Sequence, residues 1–544
     1  MRLDFTILID GWTDNAHNSI YAVMLCCRDF DVFVGVLDLF GKRHTANNVR
    51  EALKTLFAKA GISFEKAIAI CTDSPSTMVK FRHDLRIIDK FTWILDFPCC
   101  LHVLSNLIKD LCKNDQISSI VSGCSKIVSF FNSSHYWLEE SRKWMKVENV
   151  KKSLRTLCRT RWYSLSQVCL SVKCFQPFFF TAMLKSNSDP DSPEINREIQ
   201  YLISPRFFES NSKLLDIVKP ISDAIGRLEN ANSTISDVMV EIFKLAKALR
   251  SLPDDHPFKH IALPALSRRI EVFDNEIYFL SLFLSPNHRN FALSGKYSFQ
   301  DLQIQCFKIV REMKWKKNEV ILLKSELERY QSFEAPFATI ETKSVVDVYL
   351  FWQEISLSAP YLSKFAKLFL SIKPHAARIE GLFSSLALAK PQRRNRLAVD
   401  KLVDLGRVKI SLQEEVNVLK NEYSNSSIGK ERIKNDAKKR KTDHSVEINS
   451  EDDVFEKNVP NTVNNNEGII DEEDESTDLF EDLLEELLDH QQLHGDIRQD
   501  FQLIDSLFDY DYVFNDREEN SPRSDEDSND DDDDDEWNVD DIIL

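Results

Sequence analysis

The stretch LDFTILIDGW, Leu3 to Trp12, constrains this chain more than any other part of it. Phe5, Ile7, Leu8 and Ile9 form a near-continuous apolar run closed by Gly11, the pattern of a central strand buried on both faces. Asp10 stands where such a strand leaves the core. Alone, it is either a strand-ending Asp-Gly turn or a carboxylate delivered to the sheet's edge. Lys66 to Asp73, KAIAICTD, repeats the arrangement: a short β-rich run ends in an acid, and Ser74-Pro75-Ser76 then starts a helix. The repetition shifts the weight toward delivered acids.

Between these runs lie Ile20 to Cys27 (IYAVMLCC) and Val32 to Phe40 (VFVGVLDLF), joined by a short polar link, which predicts antiparallel strands beside the first. Val49, Leu53, Leu56 and Ala60 recur at helical spacing, with Thr45 as N-cap and Gly61 as the stop. Trp93 to Phe97 is a fifth strand candidate. Three antiparallel strands, a helix, and further strands alternating with helices give an α/β core resembling ribonuclease H.

From Cys99 onward the pattern turns helical. Leu101, Leu104, Ile108 and Leu111 define one helix face, and helical stretches follow over 117–131, 213–228, 235–252, 299–318 and 345–372. Breaks containing proline fall near Ser188 to Pro193, Pro253 to Pro257 and Pro286. No fixed-period repeat is present, so an all-helical insertion is expected rather than a solenoid. His375 to Leu388 reads as one more helix, and Leu397, Leu402, Leu405 and Val408 mark a last amphipathic one.

Charge divides the chain sharply. Residues 451–544 hold 36 acidic and 4 basic side chains and carry −32, so the preceding 450 residues carry +14. A basic body is the footprint of a phosphate-binding protein, although lysines that merely solvate helices look the same. Lys430 to Lys441 (KERIKNDAKKRK) is either a nuclear localisation signal or a solvated linker. The Asp/Glu/Asn/Ser-rich tail is expected to be disordered, and within it Leu479 to Leu488 (LFEDLLEELL) is either a transient helix or one that folds on a protein partner. Eleven cysteines without framework spacing point to reduced thiols in an intracellular protein. With no run of about 18 apolar residues, no membrane span is expected.

Several motifs occur in a set order: Asp10-Gly11-Trp12-Thr13, Thr72-Asp73-Ser74, Cys99-x-x-His102, Cys158-x-Thr160-Arg161-Trp162-x-Ser164, and Glu380-x-x-Phe383-Ser384 followed by Arg394-Asn395-Arg396-Leu397. In these the chain resembles hAT-superfamily DNA transposases of the branch whose core opens on a D-G-W-T strand, the DUF659 type. The resemblance covers roughly residues 3–412. It implies an α/β fold in which a ribonuclease H-like mixed sheet is interrupted by a large all-α insertion, with a disordered acidic C-terminal tail. The divisions expected are a first core part over 1–110, an all-helical insertion over 111–344, a dimerisation region with the last core helix over 345–412, a basic linker over 413–450 and the acidic tail over 451–544. Many relatives begin with a BED zinc finger. Here the first core strand starts at once, so a chain without that finger is expected.

Carried over residue by residue, the resemblance implies a catalytic triad of Asp10, Asp73 and Glu380. Three crowded carboxylates repel unless cations lie between them, so Mg2+ or Mn2+, two ions about 3.5–4 Å apart, would be held by the same three residues. Arg161 would pair with phosphate and Trp162 stack on a flipped base, though an aromatic beside an arginine is also ordinary core packing. Cys99 and His102 would position DNA, or equally form a buried thiol and a hydrogen-bonded imidazole. No second ligand pair follows them, so structural zinc is not expected. Two departures from the family pattern stand at the late motif: Gly381 replaces its usual arginine, and Arg378-Ile379 replace its usual small residues. The implied function is metal-dependent DNA cleavage and transfer in a nuclear homodimer or higher oligomer. The alternative is a domesticated, non-catalytic DNA- or chromatin-associated dimer.

Overall fold

The N-terminal apolar run becomes the middle of a five-stranded mixed sheet. In a computed structural model of the protein, described over residues 4–13, 19–28, 31–39, 41–157, 164–293, 296–338, 345, 347–389, 401 and 403–412, strand β1 spans Phe5–Thr13. β2 (Ser19–Cys26) and β3 (Asp31–Val36) follow antiparallel, with Ile9 opposite Val23 and Leu25 opposite Val32. Helix α1 (Ala46–Ala60) leads to β4 (Ala67–Thr72), and α2 (Ser76–Ile87) leads to β5 (Leu95–Pro98). β4 runs parallel to β1 and β5 parallel to β4, and the order across the sheet is β3-β2-β1-β4-β5.

Alternation along the strands assigns the two faces. Ile7, Ile9, Val23 and Ile70 pack with Leu53 and Phe57 of α1 and Phe81 of α2, whereas Leu8, Ala22, Met24 and Cys71 join a second core with the helical region. Both faces are therefore covered, which is why β1 and β4 read as unbroken apolar runs. α1 begins and ends where its caps require: the Thr45 hydroxyl accepts from Asn48 N at 3.3 Å, and Gly61 takes the left-handed conformation (φ 65°).

Helix α3 (Cys100–Leu111) buries Leu101, Leu104, Ile108 and Leu111 as its spacing predicts. After it come α4 (Asp115–Ser133), α5 (His135–Val147), α6 (Ser164–Cys174), α7 (Gln176–Ser188), α8 (Arg197–Leu202) and α9 (Pro205–Leu228). Next are α10 (Ile235–Arg250), α11 (Lys259–Ile270), α12 (Glu276–Phe283), α13 (Arg289–Leu293), α14 (Phe299–Glu312) and α15 (Lys317–Gln331). The stretch over 299–318, read as one helix, breaks at Lys314, whose φ of 55° no helix accommodates. The stretch over 345–372 is likewise split, into α16 (Val348–Glu354) and α17 (Pro360–Leu370), because Pro360 opens a new helix instead of continuing the old one.

α18 (Ala377–Ala389) returns to the sheet against β1 and β2. A further helix over 403–412 lies on β3, where the Arg407 guanidinium donates to the Val34 carbonyl at 2.8 Å. Its orientation differs from the stripe read from sequence: Leu405 and Val408 are exposed, and Gly406 and Ile410 are buried instead. The close approach decides this, since a Cβ at Gly406 would come within 2.8 Å of the Phe33 ring. Leu397, Leu402, the basic linker and the whole acidic tail lie outside the described residues. The ten described cysteines are all free thiols, and all but Cys174 are buried. Among the described residues no single helix is long and apolar enough to cross a membrane; α6 and α7 together pass by length and composition, but they meet at a 56° bend and supply Val168, Val172 and Phe179 to the core.

Candidate active site

Asp10 and Asp73 stand side by side, but Asp10 does not end its strand as the sequence suggests: β1 runs on to Thr13 because β2 continues to pair with it, Asp10 opposite Ala22, and only Asp73 lies just past a strand end. β1 and β4 are parallel neighbours whose last paired residues are Ile9 and Thr72, so the next residue on each strand is one of the two acids. Ligand sites in sheets of this kind form at the carboxyl ends of parallel strands. Asp10 is 5% exposed, and its side chain accepts from Gly11 N at 3.0 Å. Asp73 follows the last residue of β4 and is held from behind: buried Arg82, on α2, donates to the Thr72 hydroxyl and, at 2.9 Å, to the Asp73 carbonyl.

Glu380 comes from far along the chain. The segment entering α18 is fastened to the core at three points: Lys373 N donates to the Thr6 hydroxyl at 3.1 Å, Cys100 N to the Pro374 carbonyl at 3.0 Å, and Ala376 N to Cys99 Sγ at 3.4 Å. Within the helix, Arg378 pairs with buried Asp31 at 2.9 Å, and Phe383 stacks on Trp12 with ring centroids 5.4 Å apart. Arg378, part of the departure at Arg378-Ile379, is thus an anchor to β3. The departure at Gly381 is a matter of open space, because a Cβ there would meet nothing within 4 Å.

The electrostatics reveal how the acids sense one another. Burial pushes the Asp10 carboxyl up to about 7, with Cys99 and Asp73 adding to the rise and His102 opposing it. Burial likewise pushes Glu380 up to about 8, and Asp10 is the largest neighbouring contribution. Asp73 is raised by burial against the pull of His102. His102, in the first turn of α3, keeps its proton above the ordinary imidazole range: burial works against the charge, but Cys99, Asp10 and Asp73 outweigh it. The structure therefore brings Asp10, Asp73, Glu380, Cys99 and His102 into one neighbourhood, with one cationic ring among the acids. Arg161 and Trp162 lie outside the described residues.

The donor set suits a hard divalent cation, being carboxylate oxygens that burial and mutual repulsion now hold toward protonation. One oxygen awaits a partner: Oδ1 of Asp73 is buried with no hydrogen bond among the described residues. In the arrangement seen, no group of three or more His, Cys, Asp or Glu side chains among the described residues stands ready to hold a metal ion. The acids share a field without forming a closed shell, as expected for like charges that repel.

Three contributors have no motif of their own in the sequence. Arg82 holds the Asp73 turn, Asp31 anchors Arg378, and Glu229, at the end of α9, adds its negative charge to the surroundings of Glu380. The loop after Glu229 is fastened beside the site by Lys373 Nζ, which donates to the Ala231 carbonyl at 2.6 Å, and by His375 Nε2, 3.3 Å from the Asn230 carbonyl. Burial lowers the proton affinity of His375, so its neutral ring donates from Nε2 and accepts from Ala377 N at Nδ1. The helical region thereby reaches the acids themselves.

No curated protein matches the chain. Residues 2–127, which include Asp10, Asp73, Cys99 and His102, match a family model described as a domain of unknown function, DUF659, a domain typical of hAT-family transposase-like proteins.

Proposed function

We propose that this chain is a hAT transposase-like protein, built on a ribonuclease H-like core, that cleaves and transfers DNA strands with divalent metal ions. One observation carries the reading: parallel β1 and β4 set Asp10 and Asp73 at adjacent positions, and α18, packed on β1, brings Glu380 near enough for the Asp10 charge to raise its proton affinity. The DUF659 match over residues 2–127 supports it. So does the sheet order β3-β2-β1-β4-β5, with its antiparallel first three strands and parallel last two.

Asp10, Asp73 and Glu380 would hold Mg2+ or Mn2+, which when bound supplies Lewis acidity to the attacking and leaving oxygens of a phosphodiester. The chain's own part is positioning and charge. Arg82 keeps the Asp73 turn in place, and the His102 ring offsets part of the carboxylate charge so that a phosphate can approach. Water would attack the phosphorus and lose a proton as the 3′ oxygen leaves and gains one; the freed 3′ hydroxyl would then lose its proton and attack a target phosphodiester, displacing the target strand's own 3′ oxygen. Arg161 and Trp162 would grip the DNA flank, through phosphate and a flipped base respectively. The basic body would draw DNA in, in the nucleus, with the chain acting as a homodimer or higher oligomer through residues 345–412, and the acidic tail would take a protein partner.

A second reading, a non-catalytic DNA-associated dimer descended from such an enzyme, is favoured by the change at the late motif, where Gly381 stands in place of the family's usual arginine, and by the long acidic tail. One experiment separates the two. Purified full-length protein with DNA carrying the terminal repeats that flank its own gene should nick that DNA in Mn2+, and the Asp10→Ala/Asp73→Ala double variant should not. Equal signals from the two proteins, with DNA binding intact, would leave the second reading standing.

A further inference from the structure

The D-G-W-T and E-x-x-F motifs lie 370 residues apart, yet their aromatic members touch: Trp12 and Phe383 stack at 5.4 Å with their planes 26° apart. The geometry around that stack is restrictive. Asp10 and Trp12 are two residues apart on β1, so both side chains leave the same face of the sheet, roughly 6.6 Å apart along the strand. Glu380 and Phe383 are three apart on α18, so they share one helix face, roughly 4.5 Å apart along the axis. Setting Phe383 on Trp12 therefore sets Glu380 against Asp10. A helix that slid by one turn, or rolled by one residue, would lose both contacts together.

Beyond Glu380, α18 is held by packing: Leu382 is 2% exposed and lies beside Gly406, and Phe383 stacks on Trp12, the contact that shares its helix face with Glu380. The hydrogen bonds from Lys373, Cys100 and Ala376 and the Arg378–Asp31 ion pair all lie before it in the chain. Gly381, directly after it, lends no side chain to the packing. Trp12 is half-buried at the rim of the core and Phe383 is 6% exposed, so the tryptophan is the member that can change without opening the interior.

We propose that Trp12 is a positioning residue of the acid site, whose stack on Phe383 sets α18 in the register that presents Glu380 to Asp10. This rests on the reading of Asp10, Asp73 and Glu380 as a cation site, and the test keeps the two claims apart. Mn2+ binding to the full chain is measured by calorimetric titration for wild type, Glu380→Gln, Trp12→Ala, Trp12→Phe and the Trp12→Ala/Glu380→Gln double variant. Loss of a residue that orients a ligand weakens metal affinity by about 10- to 100-fold, and that is expected of Trp12→Ala. Trp12→Phe, which keeps a ring face, should stay close to wild type. The double variant should bind no more weakly than Glu380→Gln alone, because the stack acts only through Glu380.

If the two losses multiply, or if Trp12→Ala binds as wild type does while Glu380→Gln is weakened, the positioning role is wrong and the cation site stands. If Glu380→Gln leaves Mn2+ binding unchanged, the cation-site reading itself fails and the positioning role falls with it. Should Trp12→Ala not fold, Phe383→Leu removes the other ring of the stack while keeping apolar bulk, and carries the same expectations.

Discussion

At the scale of single residues, Arg82 shows how one buried side chain can hold in place another whose role is proposed. It is 4% exposed, and its hydrogen bonds run to the Thr72 hydroxyl and the Asp73 carbonyl, so the turn bearing the second acid is bolted to α2. Lysine at this position keeps the charge but has no planar fork to serve two acceptors at once. Arg82→Lys is expected to lower stability by about 1–2 kcal/mol and Mn2+ affinity by about tenfold, read by urea unfolding and calorimetric titration. A loss of stability with unchanged Mn2+ affinity would make Arg82 a packing residue only. Asp10 and Asp73 are legible in the sequence because both end apolar runs, and a run's end is local information. Arg82, Asp31 and Glu229 are not, since each acts on a partner supplied by another segment and carries no pattern of its own. Glu380 is legible only through resemblance, because a lone glutamate in a helix has no local mark of its role.

Elements tell a similar story of local signals against distant ones. The Thr45 and Gly61 caps and the buried stripe of α3 follow from nearest neighbours, and the structure keeps them. The break at Pro360 is a local signal that a helical period passes over, whereas the break at Lys314 and the rotation of the helix over 403–412 leave no mark in the local period. The tie between α3 and α11 is another such feature. Asp110, its side chain 3% exposed, receives Arg269 at 2.6 Å, Arg268 at 3.1 Å and Lys113 at 2.9 Å. Despite the cost of burial, these three cations hold its carboxyl below the ordinary aspartate range. A carboxyl whose proton affinity falls on folding adds stability above its unfolded value, near 3.9, and loses it as the pH drops further. Asp110→Ala should therefore cost about 1–2 kcal/mol at pH 7, since two of the three partners remain partly solvated. The difference from wild type should shrink as the pH falls below about 4, and urea unfolding at several pH values checks this. A gap that stays constant with pH would assign the loss to packing.

The whole molecule is a basic body joined to an acidic end: +14 over residues 1–450 against −32 over residues 451–544. Opposite charges on one chain meet at high effective concentration, because the tether confines the tail to the neighbourhood of the body. If the body binds DNA as proposed, an acidic segment held there would compete with DNA phosphates for the same lysines and arginines, and both interactions would weaken as salt screens them. The two predictions this makes are changes, where an inert tail would leave both quantities unchanged. Deleting residues 451–544 should tighten DNA binding at low salt, where the competition is strongest. It should also steepen the fall of affinity with salt, because every phosphate contact newly available to the body adds about −0.9 to the slope of log affinity against log salt. Titrating full-length and truncated proteins with one duplex between 50 and 200 mM salt, a range over which such contacts act strongly, reads both quantities. Superimposable curves would mean that the acidic end never occupies the DNA-facing surface, and its role would then lie with a partner bound through Leu479 to Leu488.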